Sequence, residues 1–366
     1  GSTLFSLGAA MRALIKPAPG PGLELTEVPE PSPGFGEVKI RVMRTGLCGT
    51  DLHLAGWDDF AAEMLNPPQT LGHEFYGEIV EVGPGVSGMD GVGEVNGLRL
   101  TPGQHVSVEG HITCGRCRNC RAGRRHMCLH TNSIGVNRDG AFADYVVVPA
   151  GNVWLQADHI DPDLGALFDP FGNAVHTALQ FPLTAEDVLV TGAGPIGVMC
   201  AAIAKHAGAR NVVITDLSDF RLSLAKVTGA VTVNTREQDL REVMVDLGIT
   251  EGFDVGLELS GAPSATRQML DVCNYGARIA MLGLPSASYD INWNQVITHM
   301  LTIKGVYGRE MFDTWYKADF MLGSSPQLRD QIRSVITHRV TPENWAEGFD
   351  AARSGKCGKV IIDWTA

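Results

Sequence analysis

No run of about eighteen unbroken apolar residues occurs anywhere in the 366 residues, so nothing in the sequence reads as a membrane-spanning helix. Base is scarce: 29 Lys and Arg stand against 41 Asp and Glu, for a net charge of -12. That balance argues against a nucleic-acid partner, because phosphate binding needs a concentrated basic face. The one basic stretch, residues 116–125, is interleaved with cysteines and reads as a solvated metal lobe. Internal repeats and low-complexity tracts are absent. So is a secretory signal: residues 1–10 have no basic start and too short an apolar run, and they read as an addition ahead of a natural start at Met11. A cytoplasmic location is expected.

Hydrophobic residues at 44% and charged ones at 19% suit a globular enzyme and not a disordered or fibrous chain. The length exceeds what one small core accommodates and implies two domains. Up to about residue 165 the chain is made of short strands and turns. Residues 38–42, 77–82 and 143–148 alternate, with Gly and Pro clusters between them. This is the pattern of an all-β lobe from which 114–128 loops out. From about residue 167 the rhythm changes. Strands at 188–191, 211–215, 253–258 and 278–282 alternate with helices at 196–207, 220–227 and 262–273, which implies right-handed crossovers and a parallel sheet. The class is therefore α/β. The tail from about 305 carries an amphipathic stretch at 310–322 and ends on Gly358-Lys359-Val360-Ile361-Ile362-Asp363. That run resembles a strand of the first lobe, so the tail is expected to return there.

Eight cysteines are few, and five stand at metal-like positions, the pattern of a reducing compartment. Cys114, Cys117, Cys120 and Cys128 are spaced C-x2-C-x2-C-x7-C. Four thiolates fill a tetrahedral zinc shell and leave no position for chemistry, so this lobe is structural. An iron–sulfur cluster would add a redox centre that nothing else in the chain uses. Cys48 and the pair His73-Glu74 form a mixed set that leaves a coordination position open. Each is weak alone, since a single cysteine or histidine is more often a core residue. The run Cys48-Gly49-Thr50-Asp51-Leu52-His53 strengthens the reading. A bound alcohol acidified by zinc needs a route for its proton, and the Thr50 hydroxyl passing it to the His53 imidazole is such a route.

Gly192-Ala193-Gly194-Pro195-Ile196-Gly197 follows an apolar strand and opens a helix, the context in which a glycine turn binds a dinucleotide pyrophosphate. Asp216 ends the next strand, where a carboxylate accepts hydrogen bonds from ribose hydroxyls and repels a 2'-phosphate. NAD is thus expected over NADP. The plainer reading of Asp216 is a helix cap. Arg221 reads as stacking near the adenine.

These motifs together resemble the zinc-containing medium-chain alcohol dehydrogenases, over about residues 11–364. Three longer runs are similar to the branch acting on L-threonine: 109–115 (Glu-Gly-His-Ile-Thr-Cys-Gly), 168–177 (Phe-Asp-Pro-Phe-Gly-Asn-Ala-Val-His-Thr) and 305–312 (Gly-Val-Tyr-Gly-Arg-Glu-Met-Phe). The resemblance implies a GroES-like catalytic domain at 11–165 with a zinc lobe at 111–130. It further implies a Rossmann NAD-binding domain at 166–304 and a return to the catalytic domain over 305–366. Carried over position by position, Cys48, His73 and Glu74 match catalytic-zinc ligands, Thr50 and His53 a proton relay, and the four cysteines a structural zinc. Asp169 matches an acidic residue beside the catalytic metal, serving either in proton transfer or as a ligand. Ile196, Asp216, Arg221, Leu282, Gly283, Leu284, Val306 and Tyr307 match NAD contacts. The implied reaction is oxidation of the 3-hydroxyl of L-threonine, in a cytoplasmic homotetramer with two zinc ions per subunit.

The sequence departs from the family by about eleven extra residues around 88–100, with an Asn-Gly hairpin tip, read as a tolerated surface extension. A dehydrogenase of polyols or other secondary alcohols would share every metal and cofactor residue. Threonine differs in bringing a carboxylate and an ammonium that need partners, for which Glu109 and His111 are candidates. A non-enzymatic zinc- and NAD-binding protein is disfavoured, because a relic would have lost at least one of Cys48, Thr50, His53, His73, Glu74 and Asp169.

Overall fold

The computed structural model describes residues 8–86 and 94–366. The chain divides into two units, one running to Asp169 and again from His338, the other from Pro170 to Thr337.

The first unit is built on an antiparallel sheet in the order Val153–Leu155, His105–Val108, Glu74–Val82, Glu37–Gly46, Lys359–Asp363, with Tyr145–Pro149 also paired to Glu37–Gly46. Alternation of the side chains in Glu37–Gly46 puts Val38, Ile40 and Val42 into a core with Phe75, Ile79, Val106, Val146 and Val360. Each such side chain fully buried contributes about 1.5–3 kcal/mol of transfer free energy. A smaller sheet, Glu24–Pro29 with Ala10–Lys16 and Gln69–Thr70, packs at its side through Leu14. The register brings three strands to a focus: Gly46 lies opposite both Glu74 and Ile361, so their ends meet at one point.

The second unit is a six-stranded parallel sheet. Its order is Val231–Asn234, Asn211–Asp216, Asp187–Thr191, Phe253–Glu258, Cys273–Met281, Thr302–Gly305. The central strand, Asp187–Thr191, is buried along its whole length, which is why it reads as a continuous apolar run and not an alternating one. Strand order reverses between Asp187–Thr191 and Phe253–Glu258, and such a reversal opens a crevice at the carboxyl ends of the strands.

Two boundaries differ from the sequence expectation. Residues 305–337 belong to the second unit, because Thr302–Gly305 closes its sheet and the helices Asp313–Ser324 and Pro326–Arg333 pack there, the latter against Pro195–His206. Only the part from His338 returns to the first unit. The switch into the second unit falls at Asp169/Pro170, inside the helix Phe168–Ala178 and not ahead of it. The strand Val231–Asn234 has no counterpart in the sequence expectation; four residues give too little period to read. The amphipathic stretch at 310–322 is helical from Asp313, within the helix Asp313–Ser324. Of the extra segment, the hairpin Glu94–Val95 with Leu98–Arg99 turns through Asn96 and Gly97 at positive φ, while 87–93 lie outside the described residues.

Candidate active site

At the point where the three strands meet, each side chain is placed by its own backbone. Cys48 caps the helix Gly49–Gly56, and its amide donates to Asp51 Oδ2 at 2.9 Å. Gly72, at φ 97°, turns the chain into His73; a Cβ there would strike the Phe142 ring. Glu74 starts its strand almost fully buried, and a Cβ on Gly46 would come within 2.7 Å of Glu74 Oε2. Lys359, 285 residues away in sequence, donates from Nζ to Glu74 Oε2 at 2.6 Å and to the Leu47 carbonyl at 2.8 Å.

One ligand atom each from Cys48, His73 and Glu74 lies within 4.8 Å of the others, so a single ion can touch all three. Electrostatics favour a cation. Cys48, Glu74, Asp51 and Asp169 gather acidic groups around two bases. Burial opposes the charge on His73, yet Asp51 first, then Cys48 and Asp169, outweigh it and lift the imidazole well above its ordinary value. Burial pushes Asp51 up to about 6. Its Oδ1 and His73 Nδ1 are both buried without a hydrogen-bond partner and face each other at 3.6 Å. A carboxylate at that nitrogen fixes the orientation of a metal-binding imidazole. The donor set therefore suits zinc with an open position. Asp169 stands outside the three-ligand group, and its charge acts on His73 and Lys359.

Cys114, Cys117, Cys120 and Cys128 likewise converge within 4.8 Å. Amides of Cys114, Cys117, Cys120 and His130 donate to the sulfurs of Cys128, Cys114, Cys117 and Cys128 at 3.3–3.5 Å. The amides of Cys120 and Leu129 draw the Cys117 thiol down to about 6. Such N–H donation stabilises thiolates, the form that binds zinc.

The helix Gly49–Gly56 has two faces. Asp51, Leu54 and Ala55 point inward, while Thr50 and His53, three residues apart, share the other side. His53 is exposed, and its Nδ1 lies 2.7 Å from Asp58 Oδ2. Gly110 sits against His73, with a Cβ there 3.5 Å from the His73 carbonyl, and Glu109 and His111 flank it in the chain. The Glu109 carboxylate is buried and accepts from His111 Nδ1 at 2.9 Å.

In the second unit the glycine turn adopts the geometry its residues imply. Gly192 has φ 92°, and a Cβ on Gly197 would sit 1.8 Å from the Gly192 carbonyl, so neither tolerates a side chain. At Gly194 a Cβ would meet no protein atom within 4 Å, so the backbone there is open to approach. The helix Pro195–His206 then presents its first-turn amides. Asp216 is held by the amides of Ala193 and Ser218 at 2.8 and 2.9 Å, with lone pairs to spare. A cavity of about 620 Å³ adjoins it, lined among others by Gly192, Asp216, Arg221, Thr235, Arg236 and Ser260. Ile196 stands in the first helical turn. Leu282, Gly283 and Leu284 follow the strand Cys273–Met281, and Val306 and Tyr307 follow Thr302–Gly305, so all leave the same carboxyl edge of the sheet.

Four residues of these sites carry no role that the sequence alone assigns: Asp51, Asp58, Arg236 and Lys359. Asp51 lies inside the very run that marks the site, a carboxylate on what proves the buried helix face. Lys359 carries no local signal at all.

Residues 34–158 match the alcohol dehydrogenase GroES-like domain, and residues 195–322 match the zinc-binding dehydrogenase domain. The chain belongs to the zinc-binding alcohol dehydrogenases. Among curated proteins its relatives include L-threonine 3-dehydrogenase of Saccharopolyspora erythraea, 53% identical over 97% of this chain and 99% of that one. The L-threonine 3-dehydrogenase of Burkholderia ambifaria is 55% identical over 97% of this chain and all of that one. Among solved structures, an alcohol dehydrogenase of Escherichia coli in complex with NADH superimposes with a TM-score of 0.82 at 26% identity, covering 98% of this chain and all of that one.

Lys359→Met should leave Glu74 as an unpaired buried charge and cost about 3–5 kcal/mol in denaturant unfolding of the metal-free protein. Adding Glu74→Gln should restore most of the loss. Glu74, with Cys48 and Asp169, raises the Lys359 ammonium above its ordinary value against the effect of burial. The pair's contribution is therefore full below the ordinary lysine pKa and declines as pH rises through the folded value. A single variant as stable as the parent at neutral pH would refute this role.

Proposed function

We propose that this chain oxidises the 3-hydroxyl of L-threonine to L-2-amino-3-oxobutanoate and reduces NAD+ to NADH. The observation that carries the reading is the identity of 53–55% to L-threonine 3-dehydrogenases across nearly the whole chain, with no member of the metal or nucleotide constellation missing. Cys48, His73 and Glu74 would hold the catalytic zinc, with Lys359 and Asp51 keeping those ligands in place, and the four-cysteine lobe would hold the structural zinc. Bound zinc supplies a Lewis acid that lowers the pKa of an alcohol. Bound NAD+ would supply the hydride acceptor; the glycine turn would hold its pyrophosphate, Asp216 its ribose and Arg221 its adenine.

The protein's own residues handle the proton and the substrate's charges. As the hydroxyl proton passes to Thr50 Oγ1, the hydroxyl of Thr50 gives its own proton to His53 Nε2, and the exposed imidazolium releases it to water. Glu109 and His111, which flank Gly110 where it packs against His73, are the candidate partners of the substrate's ammonium and carboxylate. Asp169 acts through its charge on His73 and Lys359.

The same reading makes the protein a cytoplasmic homotetramer. None of the eight cysteines is in a disulfide, which agrees with a reducing compartment. Among the described residues Thr302–Gly305 is the last strand of its sheet, and Trp293, Ile297 and Met300 lie exposed close to it in sequence, an apolar edge that a second copy would cover. Light scattering should give the mass of four chains, and a monomer at micromolar concentration would refute the assembly. For the reaction, L-threonine, sorbitol and butanediol are compared by NADH absorbance. Threonine should be turned over far faster than either polyol. Fast polyol oxidation with threonine near background would refute the assignment.

A further inference from the structure

The proton path proposed for Thr50 and His53 ends on an imidazole that has a partner of its own. His53 Nδ1 lies 2.7 Å from Asp58 Oδ2, a contact at full hydrogen-bond length between side chains on and beside successive helices. Asp58 is itself anchored. It caps the helix Asp59–Met64, and its other oxygen accepts from the Ala61 amide at 3.0 Å. We infer that Asp58 is a positioning residue for the reaction, holding His53 in the tautomer with its proton on Nδ1 and so leaving Nε2 to accept.

The chemistry rests on that one contact. An ionised carboxylate can only accept, so the nitrogen facing it must carry the hydrogen, and the other nitrogen keeps its lone pair. When Nε2 takes the proton, the resulting imidazolium is formed beside a negative charge. The Ala61 amide above all, aided by the His53 ring and the Phe60 amide, holds the Asp58 carboxyl below the ordinary carboxylate range, so it is ionised wherever the enzyme would work. Neighbouring elements bring other charges, engaged elsewhere. Lys16 donates to the carbonyls of Gly20, Gly22 and Ala55, Asp51 turns inward to His73, and Arg353 on the helix packed behind pairs with Asp350. Asp59 and Glu63 share the second helix, and Asp58 at its start is the group that reaches the ring.

This inference rests on the relay reading of His53, and the experiment separates the two. Asp58→Asn is the informative variant, because asparagine caps a helix as well as aspartate and the fold is retained. Its amide nitrogen would meet Nδ1 as a donor and favour the wrong tautomer. The variant should keep the parent melting temperature, zinc content and KM for NAD, and should lose about tenfold or more in kcat at neutral pH, with the loss shrinking as pH rises. In a His53→Ala background, Asp58→Asn should have no further effect. If His53→Ala is slow while Asp58→Asn turns over like the parent, the positioning role is refuted and the relay stands. A loss from Asp58→Asn that persists in full without His53 would also refute it. Normal turnover of His53→Ala would remove the relay and this inference together.

Discussion

A buried ion pair between Lys359 and Glu74 is the constraint around which the first unit is arranged. It joins the start of one strand, the start of another and the carbonyl of Leu47 just beyond the end of a third. Burying two charges is costly, and the pair persists because each partner is satisfied with good geometry. The register that makes Gly46 face both strands leaves no room for a side chain between them, so glycine at 46 and the pair depend on each other. Cys48 and His73 lie within two residues of those strand ends. Their convergence on Glu74 is thus a consequence of sheet register, with Asp51 fixing the histidine from below.

The two candidate metal centres differ in how far the chain completes them. At the lobe, four sulfurs supported by N–H···S bonds fill the coordination shell, and the local chain from Cys114 to His130 supplies all of them. At Cys48 the ligands come from a helix N-cap and from the start of a strand and are held by Asp51 and the distant Lys359, three ligands that leave a position free. That arrangement suits the division of roles: the lobe stabilises local structure, and the mixed site meets the substrate. The helix beginning at Gly49 links metal to solvent, with Asp51 on its inner face and His53 on its outer one.

Much of this is legible in the sequence where function is encoded locally. The C-x2-C-x2-C-x7-C spacing, the run from Cys48 to His53 and the glycine turn each place their groups through neighbouring residues, and the structure brings each set together. The parallel strands are legible because buried central strands are continuously apolar. The illegible part depends on distant pairing. Lys359 sits in an ordinary Gly-Lys-Val strand start, and only the sheet register brings it to Glu74. Asp51 is visible but not recognisable, since its burial depends on which helix face packs inward. The extent of the tail's return is hidden for the same reason. Its final strand has a clear pattern, but nothing local says that 305–337 belong with the parallel sheet.

The central claim is that one chain holds two zinc ions of different coordination, one closed by thiolates and one open to substrate. X-ray absorption at the zinc edge of zinc-saturated enzyme tests it directly. Two ions per chain should give a mean of about 2.5 sulfur ligands per zinc, the average of four at the lobe and one at Cys48. In Cys48→Ser the ion that remains should show four. A mean near four with two ions bound, or a sulfur count unchanged by Cys48→Ser, would contradict the account.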